Sequence, residues 1–238
     1  MNMVSRVSGP RVIVALDFST SKEALAFTSR VNPKQCRVKV GFELFTSVGP
    51  EIVETLVKKG FDVFLDLKYH DIPTTVAGAC AAAARLGIWM INVHALGGRH
   101  MLLAAREAID KTTSRPLLIG VTVLTSHSAQ DLGELGIQEE PNQLVVRLAR
   151  LTKETGLDGV VCSAQEASTL RSEHGETFCL VTPGIRPTGS HVDDQVRILT
   201  PREAVQQGAH YLVIGRPITQ SIDPASVIEQ INKEVSLL

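Results

Sequence analysis

The sequence carries almost no net charge: 24 Lys and Arg oppose 25 Asp and Glu, for a formal charge of -1. There is therefore no bulk positive field to attract a nucleic-acid backbone or an anionic membrane, and any basic site must be local. The four cysteines, Cys36, Cys80, Cys162 and Cys179, form no C-x-x-C pair and no tight His/Cys cluster, which argues against structural zinc and for reduced thiols. No stretch approaches the roughly 18 uninterrupted apolar residues of a membrane span, and Met1–Pro10 lacks the apolar core of a secretory signal. The expectation is a cytoplasmic chain that is neither exported nor membrane-spanning. Two nucleotide-binding signatures are also missing: no G-x-G-x-x-G follows the first strand-like run and no G-x-x-x-x-G-K-[ST] occurs.

What is present is an ordinary globular composition, 44% hydrophobic and 21% charged over 238 residues, with no linker, low-complexity tract or internal repeat beyond the one described next. Short aliphatic runs alternate with longer helical patterns, the mark of βα units on a parallel sheet. Strands are expected at Arg11–Asp17, Arg37–Glu43, Asp62–Lys68, Trp89–Ala95, Leu117–Thr125, Gly159–Ala164, Phe178–Thr182 and Tyr211–Gly215. Helices are expected at Ser21–Val31, Pro50–Lys59, Thr74–Leu86, Arg99–Lys111, Asn142–Thr155, Ala164–Glu173, Pro201–Gln207 and Pro224–Val235. Gly60, Gly87, Gly156 and Gly208 stand where left-handed helix ends need glycine, and Ser21 and Thr200 suit N-caps. Eight units at roughly 30 residues each match a (β/α)8 TIM barrel, α/β in class, as a single domain over residues 1–238 with residues 1–10 as an N-terminal extension. A doubly wound sheet would normally use fewer strands.

A barrel places its active site at the C-terminal ends of its strands, and those ends carry residues a core rejects. Asp17 closes strand 1, Lys39 interrupts the apolar run of strand 2, Asp66 and Lys68 close strand 3, Asn92 and His94 end strand 4, Thr125 and Ser126 end strand 5, and Gly215 and Arg216 follow strand 8. Side chains alternate along a strand, so Asp66 and Lys68 share one face with Phe64 while Val63, Leu65 and Leu67 share the other. If the leucines pack under helices, the charges point into the barrel. Asp17, Lys39, Asp66 and Lys68 then form an alternating carboxylate and ammonium array, the arrangement in which such charges can be held in a site of low dielectric. His94 is open between a hydrogen-bonded structural residue and a ligand. His70 with Asp66 and Asp71 has metal-ligand chemistry, which the ammonium of Lys68 opposes.

A second constellation follows strands 7 and 8, where barrels commonly bind phosphate. Thr182-Pro-Gly-Ile-Arg186-Pro-Thr-Gly189 and Ile214-Gly215-Arg216-Pro217 combine glycines, whose backbone N–H groups approach an anion, with arginines that bind it bidentately. The segment Gly184–Asp194 is long and polar enough for a mobile lid.

The run Asp66-Leu-Lys68-Tyr-His-Asp71-Ile-Pro-Thr-Thr75, a D-x-K-x-x-D pattern at the end of a third strand, resembles the signature of the bacterial orotidine 5'-monophosphate decarboxylases. The similarity runs from Val12 to Ser221 and includes Leu16-Asp17, Val38-Lys39-Val-Gly41, Val123-Leu-Thr125-Ser126, Thr182-Pro-Gly-Ile-Arg186-Pro, Asp194-Gln195 and Ile214-Gly-Arg216-Pro. The resemblance implies decarboxylation of orotidine monophosphate to uridine monophosphate in de novo pyrimidine synthesis, by a homodimer with shared active sites and no metal or organic cofactor. It implies that Lys68 protonates C6 and that Asp66 sits beside the substrate carboxylate. It assigns Asp17, Lys39 and Thr75 to the ribose side, with Asp71 contributed by the other subunit. Thr125 would meet the pyrimidine, and Arg186, Gln195, Gly215 and Arg216 would surround the phosphate, Gln195 directly or by bridging towards the base.

Two other readings are open on the residues. One is a magnesium-dependent decarboxylase or aldolase of the same superfamily acting on sugar phosphates, which needs an acidic metal site near the strand ends. The other is a non-catalytic barrel that binds nucleotide phosphates.

Overall fold

Eight parallel strands pair in chain order and close on themselves, β1 (Val12–Ala15) joining both β2 (Arg37–Val40) and β8 (Tyr211–Ile214). Between them run β3 (Val63–Tyr69), β4 (Met90–His94), β5 (Leu117–Val121), β6 (Gly159–Val161) and β7 (Cys179–Thr182). The computed structural model describes residues 9–187 and 199–236, so of the expected N-terminal extension only Gly9 and Pro10 are described. The closed ring is the (β/α)8 barrel expected from the period of the sequence.

The helices are α1 (Ser21–Thr28), α2 (Phe42–Val48), α3 (Glu51–Lys58), α4 (Pro73–Ala84), α5 (Gly98–Asp110), α6 (Ala129–Glu134), α7 (Pro141–Glu154), α8 (Ala167–His174), α9 (Pro201–Gln206), α10 (Arg216–Thr219) and α11 (Pro224–Ser236). Three of them, α2, α6 and α10, were not expected. The strand predicted through Glu43 stops at Val40: Val38, Val40 and Phe42 continue a period of two, but Gly41 caps a helix, its carbonyl accepting from Phe45 N at 3.1 Å. The strand predicted through Thr125 ends at Val121, and the one predicted through Ala164 ends at Val161. Helix α8 begins at Ala167 rather than Ala164 because the Glu166 carboxylate accepts from Ser163 N at 2.8 Å, closing a turn first. Thr20, not Ser21, caps α1, accepting from Glu23 N, while Thr200 caps α9 in a reciprocal box with Glu203. Gly60, Gly87, Gly156 and Gly208 all have positive φ, from 76° to 101°, as their helix-end positions require.

Two apolar layers follow from strand alternation. Val38, Val40, Val63, Leu65, Ile91 and Val93 face outward and are buried beneath helices, whereas Ile13, Ala15, Phe64, Met90, Ile119 and Val213 fill the barrel. Helix α7 shows how its pattern seats it: Leu144, Val145, Leu148, Ala149 and Thr152 recur at helical spacing and are all buried. Gly159 is required where β6 meets β7, since a methyl there would lie 2.0 Å from the Cys179 carbonyl oxygen. The four cysteines are buried free thiols. Burial pushes Cys36 and Cys80 up to about 12, so neither is a thiolate near neutrality.

Candidate active site

The four strand-end charges stand in one line across three adjacent strands. Lys39 Nζ lies 3.4 Å from Asp17 Oδ1 and 3.4 Å from Asp66 Oδ2, and Lys68 Nζ lies 2.7 Å from Asp66 Oδ1. Along the line, side-chain exposure is 66% at Asp17, 11% at Lys39, 13% at Asp66 and 27% at Lys68, so the two inner charges are the most buried and the Asp17 end opens to solvent. Alternation of sign gives each inner charge opposite neighbours, which offsets the cost of removing it from water. Burial alone would raise the Asp66 carboxyl. The charges of Lys39 and Lys68, with hydrogen bonds from Lys68 and Asn92, outweigh it and hold the group below its ordinary value.

Backbone geometry aims Lys68. Its φ of 41° is a left-handed conformation rare for a residue with a side chain, and it falls where the pairing of β3 with β4 shifts register between Leu65 and Tyr69. The ammonium sits 5.2 Å from the ring centroid of Phe42, the exposed first residue of α2. A methyl on Gly41 would stand 3.1 Å from Lys39 Nζ, so the bare backbone there leaves room for that ammonium.

Above this array is a cavity of about 200 Å³. Lys39, Asp66 and Lys68 line it from β2 and β3, and Val121, Thr125 and Cys162 from across the barrel, with Phe64 among its apolar lining. It therefore offers a charged wall facing an apolar one, suited to a planar, polar-edged ring whose reacting atom faces an ammonium. A larger groove of about 950 Å³ lies between α4 and α5, away from the charges. The chemistry assigns the smaller cavity to the site, because it is the one lined by the ion-paired Lys39, Asp66 and Lys68.

The other expected site residues divide. A methyl on Gly215 would lie 3.6 Å from Asp17 Oδ2, which puts that glycine beside the array, and Arg216 follows it as the exposed first residue of α10. Arg186 is buried after β7; its Nη1 donates to the Ile185 carbonyl, and its Nε has no partner among the described residues. Gln195 and the Thr188–Asp194 part of the expected lid lie outside the described residues. Asp71 and Thr75 are exposed in the turn after β3 and the first turn of α4. Asp71 accepts from Ile72 N at 2.6 Å and, among the described residues, makes no ion pair with the array of its own chain. His94 packs parallel to His70, ring centroids 5.4 Å apart, and burial together with the nearby charges of His70, Lys68 and His127 lowers it to about 4. It is therefore a neutral imidazole at neutral pH. Asn92, noted in the sequence only as a polar strand end, donates to Asp66 Oδ1 at 2.7 Å.

Comparison with known proteins agrees with this geometry. The family model described as orotidine 5'-phosphate decarboxylase / HUMPS family matches residues 10–231. The orotidine 5'-phosphate decarboxylase of Nitrosospira multiformis is 58% identical over 229 residues, covering 96% of this chain and 95% of that protein. That of Vibrio atlanticus is 59% identical over 223 residues, covering 93% of this chain and 96% of the relative. The crystal structure of the orotidine 5'-phosphate decarboxylase from Lactobacillus acidophilus superposes with a TM-score of 0.86 at 38% identity, covering 96% of this chain and 99% of that one. A match across nearly the whole barrel, at this identity, means that the chain belongs to the orotidine 5'-phosphate decarboxylase / HUMPS family.

Proposed function

We propose that the protein converts orotidine 5'-phosphate to uridine 5'-phosphate and CO2 in pyrimidine biosynthesis, without metal or organic cofactor, with Lys68 as the proton donor. The observation that carries this reading is the Lys68 ammonium held 2.7 Å from Asp66 on the wall of a ring-sized cavity. The C6–carboxylate bond breaks, CO2 leaves, and the electron pair stays on C6 in an sp2 orbital that the pyrimidine ring delocalises poorly. A fixed cation stabilises that charge as it develops, and Lys68 then transfers a proton to C6 and is reprotonated from solvent, so substrate and one proton give product and CO2. Asp66 keeps the ammonium charged and oriented beside the departing carboxylate.

Thr125 meets the pyrimidine in this reading, and Asp17, Lys39 and Thr75 bind the ribose side. Arg186, Gln195, Gly215 and Arg216 take the phosphate, whose binding energy, realised far from C6, organises the charges. Asp71 serves the site of a second copy in a homodimer. Support comes from its exposure, from the exposed apolar residues Ile72 beside it, at 64%, and Phe42 at the start of α2, at 55%, and from the groove between α4 and α5, whose lining begins at Pro73. Among the described residues no helix is long and apolar enough to cross a membrane, and a cytoplasmic location, in keeping with a phosphorylated nucleotide substrate, is part of this proposal.

The test is loss of orotidine 5'-phosphate absorbance with purified, EDTA-treated protein. Undiminished turnover is expected. Activity abolished by EDTA and restored by magnesium would overturn the cofactor-free reading, no turnover and no UMP binding would favour metal-dependent sugar-phosphate chemistry, and tight UMP binding without turnover would favour a binding barrel.

A further inference from the structure

Between Ile91 and Val93 on β4 stands one residue, Asn92, while the facing stretch of β3 between their partners Leu65 and Tyr69 holds three, Asp66, Leu67 and Lys68. Regular backbone pairing cannot serve three residues from one. The side chain of Asn92, completely buried, spans the gap: its Nδ2 donates to Asp66 Oδ1 at 2.7 Å, and its Oδ1 accepts from Lys68 N at 2.8 Å. Both partners fix the amide orientation, because a carboxylate only accepts and a backbone N–H only donates. Lys68 Nζ meets the same Oδ1 of Asp66, so one carboxylate oxygen is held by the amide and the ammonium together, leaving Oδ2 to Lys39.

We propose that Asn92 is a positioning residue for the decarboxylation, an amide clasp that locks the Asp66 carboxylate and the left-handed backbone of Lys68 in one register and so aims the ammonium at C6. This rests on the decarboxylase reading above. Without the clasp, Asp66 can turn towards Lys39, and the Lys68 backbone loses the acceptor that holds it at a φ of 41°. A group of the same size lacking the amide leaves the phosphate and ribose contacts in place while misaligning the reacting pair.

Asn92→Leu, close in volume, is expected to lower kcat about 10- to 100-fold, as for a lost hydrogen bond to a charged group, while the Kd for UMP stays within about threefold. Asn92→Asp supplies a second measurement. Protonated, the new carboxyl donates to Asp66 and accepts from Lys68 as the amide does; ionised, it repels Asp66, and the paired carboxylates raise the pKa of the shared proton. The ratio of variant to wild-type kcat is therefore expected to fall as pH rises from about 5 to about 9, a signature that loss of packing alone does not produce. If Asn92→Leu shows no cooperative thermal transition, the Asn92→Asp profile decides alone. A kcat for Asn92→Leu within about threefold of wild type, equal losses in kcat and UMP affinity, or a pH-independent ratio for Asn92→Asp overturns the assignment. Wild-type protein without turnover overturns the functional reading and takes this one with it, whereas an active wild type with unaffected variants overturns the clasp alone.

Discussion

Arg37 and Lys39 stand two residues apart on the inward face of β2, yet Arg37 seals the floor of the barrel and Lys39 opens onto its mouth. The Arg37 guanidinium lies 4.1 Å from the Trp89 ring centroid and 5.0 Å from that of Tyr211, its Nε is 3.0 Å from Asp62 Oδ2, and it donates to the Pro10 carbonyl. Two residues of strand, about 7 Å, thus separate a structural cation from one that lines the cavity. Arg37→Ala is expected to cost about 2–4 kcal/mol of stability, through lost packing and hydrogen bonds at a buried site, and to leave kcat/KM of the folded protein within about threefold. Urea unfolding with parallel kinetics checks this; an unchanged midpoint would show that the floor is held by other groups.

Lys68→Ala should abolish decarboxylation while leaving UMP binding largely intact, because the ammonium is assigned to charge and proton delivery at C6. Arg216→Ala should instead lose about 2–4 kcal/mol in kcat/KM, the cost of stranding a phosphate charge. More than a tenth of wild-type kcat in the first variant, or unchanged kcat/KM in the second, contradicts these roles.

Asp71 provides a test of sharing between subunits. Lys68→Ala and Asp71→Ala homodimers should each be nearly inactive, but a mixed dimer has one site with both defects and one with neither. Denaturing and refolding the two together makes half the dimers mixed, so about a quarter of wild-type sites should return. No recovery in verified mixed dimers would place Asp71 in the site of its own chain.

His210 gives the fold an acid-sensitive point away from the site. Its Nδ1 accepts from Leu180 N at 3.0 Å and faces the Arg171 guanidinium at 2.7 Å, while Nε2 donates to the Glu176 carbonyl, so the ring is built in as a neutral acceptor. Burial, reinforced by the charge of Arg171, lowers it to about 4. A histidine depressed below its unfolded value of about 6.5 contributes stability that is complete above that pH and is lost as pH falls towards 4, because the unfolded chain then binds the additional proton. His210→Asn keeps an acceptor near Nδ1 but does not titrate. Its stability cost, measured by urea midpoints, should therefore shrink by up to about 3 kcal/mol between pH 7 and pH 4. A cost independent of pH would show that His210 is not held neutral.

How much was legible in the chain depended on how local the signal was. The alternation of Phe64, Asp66 and Lys68 against Val63, Leu65 and Leu67 is a property of one extended strand, so the inward face of β3 could be read before any pairing was known. The helix ends at Gly60, Gly87, Gly156 and Gly208 were readable for the same reason, since a left-handed residue is a local demand. Helix α2 was not: Val38, Val40 and Phe42 keep a period of two past the point where Gly41 turns the chain, and a single extra alternation cannot be told from a strand end.

The sequence by itself determined the βα period, the apolar faces that drive each strand and helix inward, and the identity of the charges at the strand ends. Tertiary structure alone decided which charges meet and how they are aimed. The 3.4 Å and 2.7 Å contacts that join Asp17, Lys39, Asp66 and Lys68 cross three strands, and the register that sets them comes from closing the barrel. The left-handed turn at Lys68 exists only because three residues of β3 face Asn92 on β4, a mismatch between strands that neither segment carries alone. Periodicity is fixed by the geometry of one chain segment, whereas register is a relation between segments distant in sequence, and catalytic alignment depends on the second.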